Sequence, residues 1–180
     1  LYNVAQLLKG GVGASRHYEI SGELWDIDEL NPGPVPVDGE VTLVRTPQGI
    51  LASGTAHMKL VQACRRCLEL TETEVNFSFE EEYIPSIDIE TGANLPITDE
   101  DEEGLVIDEH HILDLREVLR QYAVIELTGG ALCQPECKGL CPTCGANLNL
   151  GPCGCNHEII DPRLAALAKL LETDQNRENE

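Results

Sequence analysis

Residues 132–155 read LCQPECKGLCPTCGANLNLGPCGC and hold six of the eight cysteines in the chain. Close spacing of this kind lets one small loop present several thiolates to a single metal ion, and zinc takes four such ligands at about 2.3 Å each. The run from Cys141 to Gly145 has the form of a zinc knuckle, a tight turn whose glycine supplies a positive φ. The stretch therefore predicts a C-terminal zinc-binding segment.

The other two cysteines, Cys64 and Cys67, flank two arginines in the unit Cys-Arg-Arg-Cys. Such a pair is either half of a zinc site or a redox dithiol, and neighbouring arginines lower the thiol pKa in both cases. A redox dithiol usually opens a helix, whereas this pair follows a predicted strand. We therefore favour metal ligation, with simple packing in a sheet turn as the alternative.

The partition of the ligands stays open at the level of sequence. The simplest partition assigns the first four cysteines of residues 132–155 to one ion and combines the last two with Cys64 and Cys67. A second partition assigns the last four to one ion and leaves the others reduced, and His157 could substitute for a cysteine. Thiolates also bind iron, so an iron–sulfur cluster is an alternative to Zn2+. One or two zinc ions are expected, and the candidate ligands are Cys64, Cys67, Cys133, Cys137, Cys141, Cys144, Cys153 and Cys155.

The chain is strongly acidic, with a formal net charge of −20 at pH 7. Residues 64–109 concentrate this charge, because they hold 15 acidic side chains and only two basic ones, Arg65 and Arg66. A surface of this kind repels phosphate at long range and attracts basic proteins. Non-specific binding of nucleic acid is therefore disfavoured, although a large net charge also serves solubility alone.

The cellular compartment follows from what the cysteines need. No apolar run in the sequence approaches the about 20 residues of a membrane-spanning helix, and no secretory signal is recognisable. Eight cysteines without such a signal favour metal ligation in a reducing cytosol over a disulfide framework. We expect a cytoplasmic protein with no membrane segment.

Apolar residues alternate with polar ones in four segments, at residues 18–24, 35–43, 50–61 and 75–79. This period of two predicts four strands, and the turn residues between them predict an antiparallel sheet that curls or closes like a barrel. Helices are predicted after Asn3, from Asp114 to about Ile125, and from Asp161-Pro162 onward.

The expected fold class is α+β, mostly antiparallel sheet with a few helices. We expect a β-rich domain over residues 1–130 with a mobile acidic loop near 85–104, a zinc-binding segment with the terminal helix over 131–172, and a frayed tail over 173–180.

The sequence carries no recognisable catalytic motif. A Walker loop, GxSxG and HExxH do not occur in it. His110 and His111 precede a predicted helix and His17 and His57 lie in predicted strands, positions that are more typical of solvated histidines than of catalytic or metal-binding ones. We therefore expect a non-enzymatic protein without a small-molecule substrate.

Five motifs occur together in an order that resembles a known family. They are residues 3–8 with a following glycine turn, 64–68, 114–115, 137–149 and 161–164. Together they resemble the YceD family, the large ribosomal RNA subunit accumulation proteins of bacteria and plastids. The likeness covers nearly the whole chain, and CKGLCPTCGANLN is its most specific part.

The resemblance implies a role in synthesis, processing or stability of the large-subunit ribosomal RNA, and hence in large ribosomal subunit assembly. It implies no catalytic residues. Since family members differ in whether they hold the cysteine cluster, it also implies that the metal supports the fold rather than the common function.

Few basic residues are available for contact with RNA in such a role. We therefore expect an acidic adaptor that reaches the large-subunit precursor through basic ribosomal proteins. Two other classes stay open, a zinc-ribbon protein-interaction module unrelated to the ribosome and a thiol redox protein. Direct contact with ribosomal RNA would instead need a basic patch gathered from Lys9, Arg16, Lys59, Arg65, Arg66 and Lys138.

Overall fold

The computed structural model describes residues 1–96 and 105–155. The chain divides into two compact units, Leu1–Pro135 and Glu136–Glu180, and each is described by itself. Residues 97–104 of the expected acidic loop, His157, the helix expected at Asp161 and the tail at 173–180 lie outside the described residues.

The first unit is built mostly of strands. Nine elements follow one another along its described residues: β1 (Tyr2–Asn3), α1 (Ala5–Leu8), β2 (Ser15–Leu24), β3 (Val35–Arg45), β4 (Ile50–Ala63), β5 (Leu70–Pro85), β6 (Val106–Ile107), β7 (Ile112–Leu113) and α2 (Arg116–Thr128). Strands β2 to β6 form one sheet in chain order, curled into a half-barrel. All its pairs are antiparallel except β5 with β6. The predicted fold class is confirmed.

The alternation read from the sequence sets the two faces of this sheet. Ile20, Val41, Ala56 and Phe77 are buried on the inner face, and the residues between them along each strand point outward because side chains alternate across a strand. The inner residues form one core with α1 and α2. Period-two patterning places the strand residues of this core on the inner face, and it leaves most outward positions to polar side chains.

Two glycines let neighbouring strands approach closely on the curl. A Cβ at Gly39 of β3 would lie 2.1 Å from the carbonyl oxygen of Thr55, and one at Gly54 of β4 would lie 2.2 Å from that of Glu40. No side chain fits at such separations. Glycine inside a strand marks this kind of close backbone approach, so the half-barrel depends on these two positions.

Helix α2 packs on β5 through aromatic side chains. The ring of Tyr122 stacks on that of Phe77 with centroids 5.9 Å apart, and its hydroxyl donates to Glu81. The Asp114 carboxylate accepts from the backbone N–H of Arg116 at 2.9 Å. The helix therefore begins just after the predicted Asp114, and it ends at Thr128, slightly later than the sequence predicts. No helix of the described residues is both long and apolar enough to cross a membrane.

The described part of the second unit, residues 136–155, contains neither a helix nor a strand in its assignment. Leu140 and Asn147 form an isolated antiparallel bridge, and the Leu148 backbone N–H donates to the Gly139 carbonyl at 2.9 Å. These bonds close a small loop around the knuckle at Cys141–Gly145. Its architecture is that of a turn-rich segment organised by its cysteines.

Candidate metal centre

The pair Cys64 and Cys67 lies in the turn that joins β4 to β5. The Cys64 backbone N–H donates to the Glu69 carbonyl at 2.8 Å, and the Leu68 N–H donates back to the Cys64 carbonyl at 2.9 Å. The Arg66 N–H points at the Cys64 sulfur, 3.5 Å away. A short hairpin turn is thereby wrapped around one thiol, and that thiol is fully buried.

The run at Cys141 repeats this turn bond for bond. The Cys141 N–H donates to the Ala146 carbonyl at 2.8 Å and the Gly145 N–H to the Cys141 carbonyl at 2.9 Å. The Thr143 N–H faces the Cys141 sulfur at 3.3 Å. Two segments with little sequence in common therefore form the same zinc-knuckle turn, which presents two sulfurs and several N–H donors to one point.

The fifth residue of each turn has a left-handed backbone. Gly145 has φ of 74°, and Leu68 occupies the same place with φ of 61°. A glycine tolerates this conformation, whereas a leucine is strained in it. The knuckle at Cys141 could be predicted from its glycine. The knuckle at Cys64 could not, because a leucine at this position gives no turn signal.

A second segment of the first unit runs beside the Cys64 turn. After α2, Gly129 and Gly130 turn the chain, Ala131 forms a parallel bridge with Cys64, and the Arg65 N–H donates to the Ala131 carbonyl at 2.9 Å. The sulfur of Cys133 then lies 3.5 Å from that of Cys67. The glycine turn after the helix is thus what places the third sulfur.

Seven of the eight predicted ligands fall into two groups, each within one unit of the chain. Within each group all sulfurs lie within 4.8 Å of one another. Cys64, Cys67 and Cys133 form the first group, and Cys141, Cys144, Cys153 and Cys155 form the second, which could hold a metal ion. This grouping differs from the simplest partition of the sequence. It contains the second partition, in which the last four cysteines share one ion, and it brings three of the other cysteines together.

Polar contacts around the sulfurs shift their ionisation. The backbone N–H groups of Cys133 and Cys67 lower the pKa of Cys64 to about 6, and that of Cys144 acts first in lowering the pKa of Cys141 to about 6. The neighbouring thiols of Cys144 and Cys153 raise the pKa of Cys155 to about 12. A divalent cation bound by four sulfurs would remove these differences in ionisation, because coordinated thiols are deprotonated outright.

The arrangement fits a tetrahedral ion. Four sulfurs about 2.3 Å from zinc are separated by about 3.8 Å, close to the 3.5 Å between the sulfurs of Cys67 and Cys133. A disulfide needs about 2.05 Å, and among the described residues, which include every cysteine, none forms one. Sulfur-only ligand sets with this geometry are used for zinc and for iron.

One residue that supports the second unit was not singled out from the sequence. The Asn149 side-chain N–H donates to the Cys137 sulfur at 3.3 Å, and its carbonyl oxygen accepts from the Lys138 backbone N–H at 2.8 Å. Outer contacts of this kind orient metal ligands. The available signal was its place at the end of the run 137–149, four residues after Gly145 of the knuckle.

The histidines that the structure describes are not part of the cysteine groups. His17 lies on β2 with its ring 3.6 Å from Glu40, His57 lies on β4, and His110 and His111 form the turn between β6 and β7. These positions suit solvated or turn residues.

Sequence comparison places the chain among known proteins. The family described as large ribosomal RNA subunit accumulation protein YceD matches residues 52–171, a range that includes all eight cysteines. The chain belongs to the YceD family. No solved structure matches it.

Several curated relatives of this YceD-family chain are longer than it is. An uncharacterized protein of Mycobacterium tuberculosis is 36% identical over 137 residues, covering 75% of this chain and 62% of its own length. The chloroplastic large ribosomal RNA subunit accumulation protein YCED homolog 1 of Arabidopsis thaliana is 29% identical, covering 82% and 52%. The chain thus spans little more than half the length of these relatives.

Proposed function

We propose that this chain is a non-enzymatic, cytoplasmic factor for accumulation of the large-subunit ribosomal RNA, and that it binds the large-subunit precursor as an acidic adaptor for basic ribosomal proteins. Membership of the YceD family and the name of the Arabidopsis relative support the ribosomal part. The adaptor part is carried by one observation, a set of eight exposed carboxylates at outward positions of β2, β3 and β5, here named the acidic face.

The register of the sheet assembles this acidic face. Glu19 of β2 lies directly opposite Glu40 of β3, and Lys59 of β4 lies opposite Glu74 of β5. The outward positions of β4 carry no carboxylate, so the acidic side chains lie on β2, β3 and β5. The exposed carboxylates of the acidic face are Glu19, Glu23, Asp38, Glu40, Glu72, Glu74, Glu80 and Glu82.

Positive charge on the acidic face is sparse. Lys59 lies 3.6 Å from Glu74 and 4.0 Å from Glu72, so this lysine is engaged by carboxylates and does not serve a basic patch. Like charges directly opposite each other, such as Glu19 and Glu40, destabilise a sheet. A face that carries this repulsion favours a cationic partner, which relieves it, and disfavours the phosphates of RNA.

Zinc has a structural role in this proposal. Four thiolates fill the tetrahedral shell of a zinc ion and leave no position for water or substrate, which is characteristic of structural rather than catalytic sites. Cys64 and Cys67 are both buried, whereas a redox dithiol needs an accessible sulfur. These features support two zinc ions that stabilise the fold, and they disfavour the redox alternative.

The adaptor role is tested by a pull-down from dissociated large subunits. Immobilised protein is incubated with purified ribosomal proteins or with protein-free large-subunit RNA, over a range of salt concentrations. The proposal expects retention of basic ribosomal proteins that falls with salt, and no retention of the RNA. Tight binding of protein-free RNA contradicts the adaptor role.

A matched pair of variants locates the contact. Glu40→Gln with Glu80→Gln removes two charges from the acidic face, whereas Glu90→Gln with Glu109→Gln removes two exposed charges that lie outside it. The first variant is expected to weaken retention several-fold and the second to leave it near wild type. Equal effects would mean that net charge alone drives the binding. Sedimentation with the large-subunit precursor separates the proposal from a zinc-ribbon module unrelated to the ribosome.

A further inference from the structure

The single tryptophan of the chain, Trp25, lies in the loop between β2 and β3 and is 58% exposed. A buried tryptophan contributes 150–250 Å² of contact, roughly the largest of any side chain. Because Trp25 is exposed, it makes little of this contact within the protein. Tryptophan is also among the residues that dominate binding energy at protein interfaces. The loop at residues 25–34, here named the tryptophan loop, is therefore a candidate contact surface.

The backbone of the tryptophan loop is fixed from inside. The buried Asn31 side chain donates to the Val61 carbonyl at 2.9 Å and accepts from the Val61 N–H at 2.8 Å, which imitates a pair of strand bonds. The Asp28 carboxylate accepts from the backbone N–H groups of Leu30 and Asn31. Ile27 is buried in the core. The sheet thus holds the loop in one shape.

A fixed loop makes the exposed tryptophan useful for binding. Because its backbone is already ordered, little conformational entropy is lost when a partner docks. Asp26 carries part of this geometry with φ of 53°, a conformation that aspartate tolerates better than most residues. The loop therefore holds Trp25 outward at a fixed place, with Leu30 as a second exposed apolar side chain.

The charge around the tryptophan loop decides which partner fits. Residues 18–44 contain seven acidic side chains and no lysine, arginine or histidine. Asp26 and Glu29 are exposed within the loop. Carboxylates beside an aromatic face attract a cation to that face. RNA phosphates are repelled there, and so is a second copy of this chain, which has the same net charge of −20.

A groove adjoins the tryptophan loop. It has a volume of about 460 Å³, and its lining includes Pro34 and Pro36, the carboxylates Asp38 and Glu72, and the basic side chains His57 and Lys59. Lys59 already lies 4.0 Å from Glu72. The groove is therefore not the place of an incoming cation, and the contact is assigned to the loop itself.

We propose that the tryptophan loop is the specific docking point for a lysine- and arginine-rich polypeptide segment, with a cationic side chain placed over the Trp25 ring between Asp26 and Glu29. The inference rests on the proposed function in one respect, the basic character of the partner. It adds the residue that distinguishes docking at one place from general attraction to the acidic face.

Trp25 provides its own assay, because the emission of the protein comes from this one indole. The metal-loaded protein is titrated with a synthetic arginine- and lysine-rich peptide that lacks aromatic residues. The inference expects a saturable change in tryptophan emission that weakens with salt. A glutamate-rich peptide and polyuridylate RNA are expected to give none. A response to polyuridylate, or binding of the basic peptide without any change in emission, overturns the inference.

Variants separate the ring from the charge. With a labelled basic peptide followed by fluorescence anisotropy, Trp25→Leu is expected to weaken binding about two- to fivefold, the range for an exposed cation–π contact. Asp26→Asn with Glu29→Gln is expected to weaken it by a similar factor, and asparagine also tolerates the backbone at residue 26. If Glu90→Gln with Glu109→Gln weakens peptide binding equally, the tryptophan loop is not the docking point.

The two proposals fail in distinguishable ways. If Trp25→Leu retains ribosomal proteins in the pull-down as well as wild type does, the tryptophan loop is not the docking point and the adaptor role stands. If neither the basic peptide nor the ribosomal proteins bind the wild-type chain, both proposals fail. An unchanged thermal midpoint of each variant shows that the fold is preserved.

Discussion

Leu68 is the residue at which the shared turn of the two knuckles can be tested most sharply. It occupies the position that Gly145 fills in the other knuckle, and both have a left-handed backbone. The leucine side chain is 64% exposed, so it contributes little to the core. Replacing it with glycine removes backbone strain and removes almost no packing.

The expected magnitude is the difference of two known effects. A residue with a Cβ costs about 1–2 kcal/mol in the left-handed region, whereas the greater freedom of glycine in the unfolded chain costs about 0.4–1 kcal/mol. Leu68→Gly is therefore expected to raise the free energy of unfolding by about 0.5–1 kcal/mol. Leu68→Ala keeps the Cβ and the strain, and it is expected to remain within about 0.5 kcal/mol of wild type.

The reciprocal change is made at Gly145. No atom lies within 4 Å of a Cβ built there, so Gly145→Ala meets no clash and adds only backbone strain. It is expected to lower the stability of the second unit by about 1 kcal/mol. Urea unfolding of the zinc-loaded protein measures the first unit, and zinc affinity in competition with a chromophoric chelator measures the second. If Leu68→Gly is less stable than Leu68→Ala, the argument from the shared turn is wrong.

Three further predictions follow from single contacts. Gly39→Ala is expected to cost about 3 kcal/mol of unfolding free energy, because its Cβ would lie 2.1 Å from a carbonyl oxygen, whereas Gly22→Ala on β2, with open space around it, is tolerated; urea midpoints compare the two. Partial burial raises the pKa of the Asp114 carboxyl, but the hydrogen bonds and the charge of Arg116 lower this pKa by a larger amount. The net pKa therefore lies below the ordinary value. The stabilisation from the Asp114 carboxylate is therefore full above about pH 4 and is lost as the pH falls through its lower folded-state pKa. In urea unfolding, the difference in unfolding free energy between wild type and Asp114→Asn is expected to disappear below about pH 4. Asn149→Ala removes the N–H donor to the Cys137 sulfur and is expected to weaken zinc binding about 10- to 100-fold in a chelator competition.

The strands were predictable because burial in a sheet leaves a period of two in the sequence. Ile20, Val41 and Phe77 mark inner positions that the structure confirms. Strand ends were less predictable. Strand β4 continues to Ala63 and β5 begins at Leu70, since the backbone bonds of the Cys64 turn extend the hairpin where side-chain alternation has already stopped.

The grouping of the cysteines could not be predicted, because it depends on contacts between segments far apart in the chain. Cys133 reaches Cys67 only because the turn at Gly129 and Gly130 brings Ala131 beside Cys64. Spacing in the sequence instead favoured one ion bound by Cys133 and the three cysteines that follow it. The knuckle at Cys141 was predictable, since its turn and its glycine are local.

The central proposal is that the cysteine thiolates of the chain hold two zinc ions. Elemental analysis of the protein, purified under reducing conditions and without added metal, tests it most directly. The account predicts two zinc ions per chain. It also predicts that, after removal of the metal with a chelator, the backbone amides of both knuckle segments exchange their hydrogens faster. A fully folded preparation that contains no transition metal, or one whose cysteines are oxidised to disulfides, would contradict the account.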